Sequence, residues 1–110
     1  MKQSLTVALF STLLLATSCK NSIQSLDENP SSHLGDTVRV SGVVSERIDW
    51  PFTEHDYFKI VDGNHGVWVH GDSPPPKGSH VTVMGRWTRG EDCYSDLVPY
   101  VICETDRSID

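Results

Sequence analysis

Two stretches of this chain follow one frame: Gly35-Asp36-Thr37-Val38-Arg39-Val40-Ser41-Gly42 and Gly78-Ser79-His80-Val81-Thr82-Val83-Met84-Gly85. Both read G-x-x-V-x-V-x-G. Each opens at a glycine turn. Each then places two valines at alternate positions, which puts them on one face of a strand. Each ends at a glycine, where a strand can bend sharply. A small closed barrel needs such corners so that one strand can serve both halves of its sheet. Two copies are too few for a solenoid. They read instead as two strands meeting the same geometric demand.

Other short runs share this all-β character. The first frame continues to Val43-Val44, giving a strand over 37–44. Tyr57-Phe58-Lys59-Ile60-Val61-Asp62 is a second strand and Val67-Trp68-Val69-His70 a third. A fourth spans His80 to Trp87, and a fifth runs Pro99-Tyr100-Val101-Ile102-Cys103-Glu104-Thr105. Asp62-Gly63-Asn64-His65-Gly66 suits a tight hairpin turn with positive φ. Pro74-Pro75-Pro76 excludes a regular helix between strands three and four. No stretch of this region shows helical periodicity. Lys20 to His33, rich in serine and asparagine, reads as a flexible linker.

Five strands, a bent glycine-bearing first strand and a hairpin between strands two and three resemble the OB-fold. The carrying pattern is G-x-x-V-x-V-x-G, then F-x-I-x-D-x-x-x-G-x-W-V, then the frame again. The resemblance covers about Leu34 to Asp106, so the chain divides into a leader (1–18), a linker (19–33), a barrel (34–106) and a tail (107–110). OB-folds often carry a helix between strands three and four. Here the prolines replace it, so the barrel end needs another plug, with Trp87 or Phe58 as candidates.

The fold implies a ligand face on strands two and three, flanked by the loops that join strand one to two and strand four to five. If Phe58, Ile60, Val67 and Val69 point inward, then Tyr57, Lys59, Trp68 and His70 point outward. The first loop adds Trp50 and the other adds Arg89 and Tyr94. Tyr57, Lys59, Trp68 and His70, with Trp50, form the expected ligand-binding platform. The competing reading has Trp68 covering the core edge or Trp50 folded over the barrel mouth. The fold alone does not name a ligand.

The N-terminus is informative in another way. Met1-Lys2-Gln3-Ser4 carries one positive charge, and an apolar run follows from Leu5 to Ala16. Its twelve residues fall short of the roughly 20 that cross a bilayer as a helix. A charged start, a short apolar core and small residues at its end describe a secretory signal. Leu15-Ala16-Thr17-Ser18-Cys19 resembles the lipobox of bacterial lipoproteins. That resemblance implies cleavage before Cys19, a diacylglycerol thioether on its sulfur, and acylation such as palmitate on the new amino group. Acyl chains contribute roughly 0.8 kcal/mol per buried CH₂, so two or more give a stable anchor. Ala16 departs from the family's usual leucine. Lys20, where enterobacterial lipoproteins retained in the inner membrane carry aspartate, resembles outer-membrane sorting. The expected location is therefore the cell envelope, on the outer membrane facing the periplasm.

Cleavage would remove one basic residue, Lys2, of nine and none of the fifteen acidic ones, leaving eight against fifteen, a net −7. Nucleic-acid binding rests on cationic contacts with phosphate, so it is disfavoured here by charge as well as by export. Three cysteines are an odd number for an exported chain. With Cys19 lipidated, Cys93 and Cys103 remain to pair as a disulfide in an oxidising compartment. Two separate thiols are the alternative.

Catalytic signatures are missing from the sequence: there is no G-x-S-x-G, no S-x-x-K and no phosphate loop. Asp49, Glu54 and Asp56 read as a solvated acidic loop. The histidines His33, His55, His65, His70 and His80 are scattered, and no cofactor is expected. Asp62, His65 and His70 could still converge around one hairpin, which keeps a metal- or heme-handling reading open. The H-x-x-x-Y motif of the membrane-tethered heme chaperones is not present. The sequence therefore points to a non-enzymatic, lipid-anchored binding module, whose partner would be an envelope protein or glycan besides the membrane itself.

Overall fold

The structure, a computed structural model, describes residues 21–48, 56–95 and 98–110. The signal segment, Cys19 and Trp50 lie outside the described residues. Five strands form a closed barrel in the order β1-β2-β3-β5-β4. They are β1 (Thr37–Ile48), β2 (Tyr57–Asp62), β3 (His65–His70), β4 (His80–Arg89) and β5 (Tyr100–Ile109). The chain is thus an OB-fold-like all-β barrel, as its strand cadence suggests.

The paired frames explain the closure. β1 and β4 lie antiparallel, with Val40 opposite Val83, Val38 opposite Gly85 and Gly42 opposite Val81. Each frame's last glycine therefore faces a valine of the other. β1 exchanges partners just past its glycine: Val43 ends the pairing with β4 and begins the pairing with Val61 of β2. A side chain at Gly42 would meet the Val61 carbonyl oxygen at 2.7 Å and Ile23 Cδ1 at 2.8 Å. The second corner is at Gly85, where the β4–β5 register shifts. A Cβ there would collide with the Cys103 carbonyl. The hairpin between β2 and β3 turns through Gly63 at φ +64°, in the left-handed region that favours glycine.

Val38, Val40, Val44, Phe58, Ile60, Val67, Val69, Val81, Val83, Trp87 and Ile102 fill the interior. In β1 to β4 they come from alternate positions, so period-two patterning carries through to the core. β1 extends to Ile48 and β4 to Arg89, past the lengths read from sequence, because both strands also serve a second partner.

The linker reading is corrected. Residues Ile23–Glu28 form a short helix, α1, followed by a 3-10 turn over Pro30–His33. Ser22 caps α1, its side chain accepting from the Ser25 N–H at 3.2 Å, the usual role of a serine at that position. Ile23 and Leu26, one helical turn apart, are 2% and 0% exposed within the core cluster. α1 packs against β1, β2 and β3, and the Trp87 indole N–H donates to the Pro30 carbonyl at 2.8 Å. The barrel plug thus comes from before β1. Trp87 and Phe58 belong to the core that α1 covers. Among the described residues the packed domain reaches back past Leu34 to Asn21, and the residues expected as a tail continue β5 to Ile109. The Asp110 N–H donates to the His80 carbonyl at 2.8 Å.

The other barrel end is covered by the connection from Gly71 to Ser79. Its Pro74 and Pro75 are buried. Arg107 holds it, donating to the carbonyls of Asp72 and Ser73 and bidentately to Glu104. The same guanidinium lies 5.2 Å from the centre of the Phe58 ring.

Candidate ligand-binding face

The outer face of β2 and β3 is organised by direct pairing. Lys59 lies opposite Trp68, and Tyr57 opposite His70. The inward set Phe58, Ile60, Val67 and Val69 is buried as the alternation requires. Lys59 and Trp68 are both partly exposed, with the ammonium 6.0 Å from the indole centre, at the limit of a cation–π contact. Trp68 also borders a cleft of about 320 Å³ between α1 and the barrel, with Leu26, Asp27, Pro30 and Tyr100. It therefore covers part of the α1 junction while remaining open on its outer side.

Tyr57 departs from the expected platform. It points outward but is only 4% exposed. Its hydroxyl donates to the Tyr94 carbonyl at 2.7 Å, and its ring meets His70 edge-on at 5.2 Å. The segment after β4 folds down over it, so Tyr57 supports the surface from beneath. His70 is half-buried, with its ring also 6.0 Å from Tyr94. What reaches solvent is Tyr94, 73% exposed. Trp68, His70 and Tyr94 thus form a strip, with Lys59 beside Trp68.

A disulfide fixes the overlying segment. Cys93 and Cys103 are bonded, with Cα atoms 5.8 Å apart. Cys103 lies beside His70 in the parallel β3–β5 pairing. Cys93 ends the 3-10 turn Gly90–Cys93, and Tyr94 follows in the left-handed conformation at φ 57°, ψ 27°. The bond links that turn to the strand flanking the strip, and Tyr94 is carried at the joint. The sequence supplied both the pairing and the presence of Tyr94 in the loop. It held no sign that Tyr94 would be exposed and Tyr57 covered, since that exchange depends on how the loop folds back.

His65 and His70 do not converge. His65 and His70 stand at opposite ends of β3, and five residues of spacing aim them at opposite faces. His65 lies 3.1 Å from Asp27 of α1. The His70 ring nitrogens do lie near Cys93 and Cys103, but those sulfurs are joined to each other. A hollow of about 580 Å³ on β4 and β5 is lined by Arg86, Arg89, Asp92, Cys103 and Glu104. Its Arg86 and Arg89 are accompanied by Asp92 and Glu104, which leaves it without a strong charge preference. No helix among the described residues is long and apolar enough to cross a membrane.

A scan of known protein-family models finds no match, and a search of curated proteins finds none either. Among solved structures, the chain is similar to the OBody AM3L15 bound to hen egg-white lysozyme. The TM-score is 0.62 at 19% identity, over 83% of this chain and 92% of that one. At that identity the likeness bears on the fold.

Proposed function

We propose that this protein is a lipid-anchored binding module of the bacterial cell envelope, presenting the Trp68–His70–Tyr94 strip to an envelope protein or glycan. The observation that carries the reading is the exposed Tyr94, held in place by the Tyr57 hydroxyl and the adjacent disulfide. A large aromatic left in solvent on a braced backbone is suited to recognition, because little conformational freedom is lost when it is covered. Lys59 adds a cation at the edge of the strip. The OBody similarity supports the fold as one that can display a binding face. The lipobox-like Leu15–Cys19 supports the anchor, with acyl chains on Cys19 and the outer membrane facing the periplasm as the location. The disulfide agrees with an oxidising compartment. The reading is of a non-enzyme with no cofactor. Net charge weighs against nucleic acid.

Labelling cells with a fatty-acid analogue tests the anchor, since Cys19→Ser should abolish incorporation. Affinity capture from detergent-solubilised envelopes tests the strip. Trp68→Ala and Tyr94→Ala should each lower partner recovery at least tenfold with the fold intact by circular dichroism. Unchanged recovery from the double variant would end the platform reading.

A further inference from the structure

The anchor and the plug have a joint consequence. Asn21 is locked to the barrel: its N–H donates to the Arg39 carbonyl at 2.7 Å, and the Arg39 N–H donates to its side-chain oxygen at 3.2 Å. Ile23, two residues on, is buried in the core. Lys20 is the only residue between Asn21 and Cys19. Two extended residues span at most about 7 Å. The segment that could have served as a spacer is consumed by the fold.

We propose that the barrel rests directly against the lipid headgroups of its own membrane, with the β1 edge around Arg39 and Ser41 as the apposed surface. This inference depends on the proposed lipidation of Cys19. The shallow hollow where the chain joins the barrel, about 370 Å³ and bordered by Asn21, Ser41, Val61, Asp62 and His80, faces the bilayer. Reach sets the apposition more than charge does: Arg39 suits phosphate groups, and Asp62 offsets it. The ligand strip is set back. Val61 marks the membrane end of β2, and Tyr57 lies four residues further along it, roughly 13 Å away at 3.3 Å per residue. His70 pairs with Tyr57 and Tyr94 packs on His70, so the exposed tyrosine is carried away from the bilayer. A partner would meet a domain of fixed height and restricted orientation.

The test compares the lipidated full chain with a variant carrying sixteen Gly/Ser residues between Lys20 and Asn21, both in vesicles of phosphatidylethanolamine and phosphatidylglycerol. Such an insert adds a mean reach of about 20 Å and leaves the barrel's sequence untouched. Flotation is measured first, then energy transfer from the tryptophans to dansyl-labelled lipid. Apposition predicts that both proteins float and that transfer falls at least twofold in the insertion variant. Equal transfer in two floating proteins would overturn the apposition and leave the anchor standing. Failure of the wild type to float would overturn the anchor, and the apposition with it.

Discussion

Single residues hold this barrel at points where the backbone turns or closes. Gly85 marks the β4–β5 register shift, where any Cβ would strike the Cys103 carbonyl and meet Ile102 Cγ2 at 2.8 Å. Both contacts belong to a packed strand with little freedom to yield. Gly85→Ala is therefore expected to destabilise the fold by about 1–3 kcal/mol, read as a lower urea midpoint with an unchanged slope. Arg107 acts differently. It satisfies two carbonyls of the proline bridge and neutralises Glu104, whose side chain is 9% exposed. Arg107→Met keeps the aliphatic stem but leaves that carboxylate unpaired, at a cost of about 3–5 kcal/mol. The double variant Arg107→Met/Glu104→Gln should recover part of the loss. Denaturation of the three proteins side by side checks this. The Cys93–Cys103 bond closes a separation of ten residues, for which chain entropy gives roughly 2–3 kcal/mol. The Cys93→Ser/Cys103→Ser variant should unfold earlier by that amount.

At the scale of elements, the strands were legible and the plug was not. Alternating valines and bounding glycines announce β1 and β4 because a half-buried strand must repeat every two residues. The residues facing inward from β2 and β3 follow from the same rule. α1 escapes it because six residues give the period of 3.6 too few turns to register. Its signals are a capping serine at 22 and one apolar pair, Ile23 and Leu26, within a polar stretch that also satisfies the description of a tether. What makes it a helix is the unfilled end of the barrel, a tertiary demand that local pattern does not contain. The outcome can be checked: Leu26→Ala should cost about 2–5 kcal/mol, far more than any substitution in a solvated linker. A chain beginning at Leu34 should lose cooperative thermal unfolding altogether. The platform shows the same division. Which residues point outward on β2 and β3 was set by alternation, whereas the covering of Tyr57 and the exposure of Tyr94 arise from the β4–β5 segment folding back under its disulfide.

For the whole molecule, the two barrel ends and the two faces divide the work. One end is plugged by α1, and Asn21 just before it is bonded to β1. The other is closed by the proline bridge under Arg107. With both ends occupied, the barrel is not a container, and the proposed recognition would fall to its outside. The β2–β3 face carries the Trp68–His70–Tyr94 strip, while the hollow on β4–β5 holds balanced charges. The proposed strip, on a lipid-anchored domain, would meet a specific envelope partner. The most direct measurement is photo-crosslinking in living cells with benzoylphenylalanine in place of Tyr94. A control carries the same group at Met84, which is exposed on β4. Recognition through the strip predicts a discrete crosslinked product from position 94, weakened at least fivefold by Trp68→Ala and absent from position 84. Identical products from both positions, or none from position 94, would contradict it.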